Sequence, residues 1–149
     1  DWSKKRLINA KWEKFSSGKG YWAAWKRCVI PASGFYEWER KDGKKIPHKI
    51  SRIDEKPLMM AAIWSWAKIN SDRKAVTVVL TSSAKPWISK VHHRQPILLK
   101  TEEIETWFTG KNPKEINYQN MMLRKVSDHV NNVRNEGPLC WEPENHRGT

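Results

Sequence analysis

At 149 residues, 38% of them hydrophobic and 30% charged, the chain is long enough for one domain with a real core and too apolar to be disordered. Its longest uncharged apolar-rich stretch, Pro57 to Ala67, is far shorter than the roughly 20 residues of a membrane-spanning helix, and no basic-then-apolar leader is visible. Twenty-eight Lys and Arg against 16 Asp and Glu give +12, spread over the whole length, which favours a polyanionic partner, most often nucleic acid, a generally basic protein without a specific ligand being the alternative.

The elements follow in chain order. Asn9 can cap a short helix over Ala10 to Phe15, because its side chain can accept from backbone N–H groups two or three residues on. Residues 16–20 read as a loop and Tyr21 to Lys26 as a helical turn. Strands are expected at Cys28–Ala32, Phe35–Arg40, Pro47–Arg52, Leu58–Trp66 and Ala75–Ser82, with Lys41-Asp42-Gly43-Lys44 as a hairpin turn and Lys68 to Lys74 as a polar loop. Trp87 to Val91 forms one helical turn and Gln95–Leu99 a strand. Thr101 caps a helix through Phe108, and Gly110 ends it. Met121 to Val126 is a last strand, and residues 138–149 form an irregular tail. Hairpin-linked strands with helices at intervals argue α+β, mainly antiparallel, rather than βαβ units.

Within Cys28-Val29-Ile30-Pro31-Ala32-Ser33-Gly34-Phe35-Tyr36-Glu37-Trp38, one carboxylate stands in an apolar and aromatic run. On a strand Glu37 faces away from Tyr36 and Trp38 and shares a face with Phe35. Held against aromatic surface it is desolvated, its pKa rises above about 4.3, and it suits general acid–base work. An exposed Glu on a half-buried edge strand is the alternative. His92-His93-Arg94 stands at a helix-to-strand junction, where one His can transfer protons and Arg94 can hold phosphate, or where all three are simply solvated. Asn131, Asn132, Arg134 and Asn135 can contact a phosphate backbone or knit a loop. Among ten Trp, most are core; Trp2 and Trp12, flanked by lysines, are the candidates for base stacking. Cys28 and Cys140 lie far apart, without metal or disulfide spacing, so a reducing cytoplasm is expected, with neither metal nor cofactor.

Six blocks, Leu7-Ile8-Asn9-Ala10-Lys11, Arg27-Cys28-Val29-Ile30-Pro31 through Trp38, Met59-Met60-Ala61-Ala62-Ile63-Trp64, Val78-Val79-Leu80-Thr81-Ser82-Ser83-Ala84, His92-His93-Arg94-Gln95-Pro96 and Val130-Asn131-Asn132-Val133-Arg134, together resemble the SOS response-associated peptidase (SRAP) family from about Leu7 to about Gly137. The resemblance implies an abasic-site sensor that acts as a monomer on single-stranded DNA. In that family an N-terminal Cys, exposed by removal of Met, traps the sugar aldehyde as a thiazolidine, with an associated autoproteolytic activity. It implies a barrel-like or bifurcated β-sheet flanked by short helices, and one domain over 1–149 whose N-terminal part, with that Cys, is expected upstream of Asp1. It maps the catalytic residues onto Asn9, which would hold the N-terminal residue and sugar, Glu37, which would shuttle protons at the amine, and His92, which would assist ring opening. Lys11, Trp12, Arg94 and Arg134 would contact DNA. Where the family block usually has Arg, Lys11 keeps the charge but loses bidentate phosphate recognition. A single-stranded nucleic-acid binder without chemistry is the competing reading.

Overall fold

The computed structural model describes residues 7–114 and 120–143. The chain divides into two compact units, one from residues 1–32, 58–83 and 94–116, the other from 33–57, 84–93 and 117–149. Trp2 and residues 144–149 of the tail lie outside the described residues.

The first unit is a six-stranded sheet of β1 (Asn9–Lys11), β2 (Lys26–Ala32), β5 (Leu58–Ile69), β6 (Asp72–Ser83), β7 (Arg94–Pro96) and β8 (Leu98–Leu99). β5 and β6 form an antiparallel hairpin from Ala62↔Val79 to Ile69↔Asp72. Past Ala62 and Val79, away from the turn, they diverge. The segment 94–99 fills the gap, β7 pairing with β6 and β8 with β5. Ile97 between them ties both sides, donating to the Leu80 carbonyl (2.9 Å) and accepting from the Ala61 amide (2.8 Å). The sheet is therefore bifurcated, as the family resemblance implies. Its core holds Ala61, Ile63, Val78, Leu80, Ile97, Leu99 and Trp107, with Trp12, Phe15 and Trp22 packed against it.

Three local expectations are corrected here. Asn9 caps nothing: it opens β1, which runs parallel to β6 with Asn9 opposite Val79, and the helix α1 is Trp12–Ser16, with Lys11 at its N-cap. Pairing with a strand 70 residues away satisfies the backbone groups that a cap would have served. The loop expected over 68–74 shrinks to Asn70 and Ser71, both at positive φ (+49° and +73°) as a two-residue type I′ hairpin requires. The expected helix after Lys100 is a 3₁₀ turn, Thr101–Glu103, followed by α2 (Ile104–Phe108). Glu103, not Thr101, serves its start, accepting from the Lys100 amide (3.1 Å). Gly110 does end it, at φ +93°.

The second unit is an antiparallel sheet of β3 (Phe35–Lys41), β4 (Lys44–Arg52) and β9 (Met121–Lys125), with β4 central. Alternation holds as expected. Phe35 and Ile50 face a small core with Ile88, Val91 and Trp87 from the turns over 85–92, while Tyr36 and Trp38 lie on the opposite face with ring centroids 6.5 Å apart. The 3₁₀ turns Asp128–Asn131 and Pro138–Cys140 complete this unit, and Cys140 is buried. Gly34 enters β3 beneath β4: a Cβ there would lie 2.6 Å from the Ile50 carbonyl oxygen. Backbone cannot yield as a side chain does. Gly34→Ala is expected to destabilise by about 1–3 kcal/mol, read as a lower denaturant midpoint with an unchanged slope.

Among the described residues no helix is long and apolar enough to cross a membrane.

Candidate active site

β3 lies at the edge of its sheet among the described residues, so Glu37 in its middle has a cross-strand partner, His48, on one side only. The segment 84–93, in the same unit, brings His92 to Glu37. Its Nδ1 lies 3.9 Å from Glu37 Oε1, with the two side chains 36% and 22% exposed. Both line a pocket of about 580 Å³, with Trp38, Arg40, Lys45, Val130, Asn131 and Val133. Asn131 shapes the wall: its Oδ1 accepts from Trp38 Nε1 at 2.6 Å. The amide thus knits the loop to β3. Arg40 and Lys45 are cross-strand partners beside the Asp42-Gly43 turn, and both are exposed. The rim is therefore positive, suited to an anionic substrate.

Burial pushes the Glu37 carboxyl above its ordinary range; the nearby His92 and the Trp38 backbone hydrogen bond pull it back only in part. The fold thus favours the protonated form. That stabilisation is present below the unfolded carboxylate value and is lost as pH rises through the folded one. Glu37→Gln is accordingly expected to raise the melting temperature at pH 7. The gain should vanish below about pH 4, where Glu37 is protonated in both states; thermal unfolding at the two pH values checks the sign.

His92 also lies against His93, ring centroids 4.4 Å apart. His48, absent from the sequence-based candidates, directs Nδ1 to the Ile46 carbonyl (3.1 Å) and Nε2 towards Glu39 (3.7 Å). The alternation of β3 and β4 is the signal that could have found it.

Other expected residues fall elsewhere. Asn9, Lys11, Trp12 and Arg94 belong to the first unit, Glu37, His92 and Arg134 to the second. Asn9 and Lys11 are exposed on β1. Trp12 is half-buried: its ring lies 5.9 Å from Phe15 and 6.0 Å from Trp107, with the Arg27 guanidinium 5.8 Å from its centroid. That packing leaves it less free to stack than its flanking lysines suggest. The Arg94 fork grips Glu13 (3.1 and 2.9 Å) and also donates to Thr81, holding α1 against β6. This bond pulls the Glu13 carboxyl down. A phosphate would have to displace that carboxylate. Arg134 is exposed, and its amide donates to Asn132 Oδ1 at 3.0 Å. Burial raises the Cys28 thiol, which makes it a poor nucleophile. Among the described residues no group of three or more His, Cys, Asp or Glu could hold a metal ion.

A family model for the SOS response associated peptidase (SRAP) matches residues 1–133. Abasic site processing protein YedK of Escherichia coli (strain K12) is 30% identical over 154 residues, covering 95% of this chain and 69% of YedK. Abasic site processing protein HMCES of Gallus gallus is 33% identical over 156 residues, covering 86% of this chain and 46% of HMCES. For abasic site processing protein YoaM of Bacillus subtilis (strain 168) the figures are 28% over 132 residues, with 81% and 58% covered. The chain thus spans between 46% and 69% of the length of these three relatives. In fold it is similar to a protein from Bacteroides thetaiotaomicron (TM-score 0.76, 22% identity, covering 94% of this chain and 67% of that one). A second likeness is to a protein from Bordetella bronchiseptica (TM-score 0.70, 22% identity, with 80% and 64% covered).

Proposed function

The chain belongs to the SOS response associated peptidase family, and on that footing we propose that its complete protein processes abasic sites in single-stranded DNA by becoming covalently attached to them. The observation that carries this reading is the Glu37–His92 pair, a half-buried carboxyl and an imidazole 3.9 Å apart in a pocket with a basic rim.

The chemistry needs an α-amine and a thiol on one residue, an N-terminal Cys. Neither Cys28 nor Cys140 can act so, because both lie inside the chain and carry no free α-amine. An abasic deoxyribose is mostly a closed hemiacetal. His92 takes the proton from its anomeric hydroxyl while the ring oxygen gains one, and the C1′ aldehyde opens. The neutral amine adds to that carbon. Glu37 accepts the proton lost by nitrogen and returns one to the departing hydroxyl, so water leaves and an imine remains. The thiol sulfur then adds to the imine carbon, its proton passing to nitrogen, and a five-membered thiazolidine closes. One water is lost in all. A carboxyl raised by burial suits both proton steps near neutrality better than an ordinary surface Glu. Asn9 would hold the N-terminal residue and sugar by hydrogen bonds, and Lys11, Arg94 and Arg134 would contact the strand. Removal of a Met or leader ahead of the Cys would be the accompanying peptidase activity. The steps use side chains and the terminal Cys alone, without a cofactor.

The full-length protein is incubated with a single strand carrying an abasic site and with the same strand intact, then run on a denaturing gel. A band of protein plus strand is expected with the abasic strand only. No adduct, with equal saturable binding of both strands, would instead establish a non-catalytic single-strand binder, the reading that the net charge of +12 supports by itself.

A further inference from the structure

The far end of the β5–β6 hairpin carries an aromatic and cationic surface that uses none of the pocket residues. On β5, Trp64 and Trp66 point to the same face, their rings edge-to-face at 5.7 Å and 79°. The opposite face at this level holds Ile63 and Val78 in the core. Trp66 is 52% exposed. Three cations share its face. Arg73 on β6 sets its guanidinium 4.7 Å from the Trp66 ring centroid. Lys26, the cross-strand partner of Trp64 on β2, lies 5.6 Å from that ring. Lys68 stands directly opposite Arg73. Two like charges facing each other across a ladder destabilise a sheet, so their pairing calls for an anionic counterpart. No carboxylate from β2, β5 or β6 reaches this face, because Asp72 points to the other side, towards Lys74 at 4.0 Å.

We infer that this face is a second contact for single-stranded nucleic acid, with an unpaired base stacked on the Trp66–Arg73 ladder and the backbone phosphates beside it held by Lys68 and Lys26. The edge-to-face Trp64 and the stacked guanidinium hold the Trp66 ring in place, so little freedom remains to be lost on binding. A duplex keeps its base faces stacked internally and cannot use the ring. The choice of a DNA strand as occupant rests on the proposed function; the surface itself does not depend on the chemistry at Glu37.

The test is fluorescence anisotropy with an intact 20-nucleotide oligothymidylate and the full-length protein. Trp66→Ala is expected to weaken binding between about fivefold and a hundredfold, the range of one lost stacked base, and Trp66→Phe to restore most of it. The Lys26→Ala/Lys68→Ala pair should lower the slope of log affinity against log salt by about 1.4, two phosphate contacts on a single strand. Adduct yield at saturating abasic strand should stay at the wild-type level in each variant. Unchanged affinity and salt slope would overturn the inference. So would equal weakening of heparin binding by Trp66→Ala, which would make the face a general polyanion surface. If the wild-type protein forms no adduct but Trp66→Ala still loses strand binding, the proposed chemistry fails and this surface stands.

Discussion

Glu37→Gln is expected to slow adduct formation on an abasic strand by about 10²- to 10⁴-fold, the usual worth of one positioned acid–base group. The amide keeps the size and hydrogen-bonding outline of the side chain but neither takes nor gives a proton at the amine. Burial holds the carboxyl above its ordinary range, so the wild-type rate should fall on the acid side of a limb displaced upward from that of a free carboxylate. The variant should lack that limb. Strand affinity should change little, since Arg40 and Lys45 at the rim remain. His92→Ala is expected to lose a similar factor. The double variant should lose much less than the product of the two, because residues that serve one proton path are not additive. Single-turnover gel assays across pH separate these outcomes; a Glu37→Gln rate equal to wild type would remove Glu37 from the mechanism.

The largest loss of stability is expected from Trp107→Ala. Trp107 is 1% exposed in the core of the first unit. Its ring carries the Arg27 guanidinium at 4.1 Å, and its Nε1 donates to the Cys28 carbonyl (2.9 Å) on the outer edge of β2. Arg27 in turn donates to the carbonyls of Trp107 and Lys111 at 3.1 and 2.6 Å. Truncation removes the ring, leaves a cavity, takes the donor from the Cys28 carbonyl and takes the aromatic face from Arg27, whose bonds to the two backbone carbonyls remain. A Trp-to-Ala change in a core costs about 3–5 kcal/mol, a large share of the roughly 5–15 kcal/mol of a whole domain. The melting temperature should fall on the order of 10 °C. Trp107→Phe should cost less, keeping a ring under Arg27 and losing the bond to Cys28. Equal thermal stability of wild type and Trp107→Ala would contradict this account of the core.

Local pattern carried much of this fold. The alternation from Phe35 to Trp38 placed Glu37 on the Phe35 face and foretold its upward shift. The Asp42-Gly43 turn and the Gly110 stop were legible because each depends on residues within a turn. Misreadings came from contacts distant in sequence. Asn9 before a helix reads as a cap, and nothing nearby reveals that Val79 will pair with it. Residues 68–74 are polar because they lie on an exposed hairpin, not because they form a loop. Trp12 looks exposed between its neighbours until Trp107 and Arg27 close over it. The approach of His92 to Glu37, 55 residues earlier, has no local signature; family resemblance alone brought those two residues together in the sequence reading. His48 was open to inference from the β3–β4 hairpin, as the cross-strand partner of Glu37, whereas alternation puts Arg40 on the Trp38 face.

Intact mass of the product tests the central claim most directly. The full-length protein is mixed with an abasic single strand without any reductant, digested to a short nucleotide stub, and weighed. A mass equal to protein plus stub less one water, unchanged by later borohydride treatment, is the predicted result for a closed thiazolidine. No adduct, or one seen only after borohydride has reduced an open imine, would contradict it.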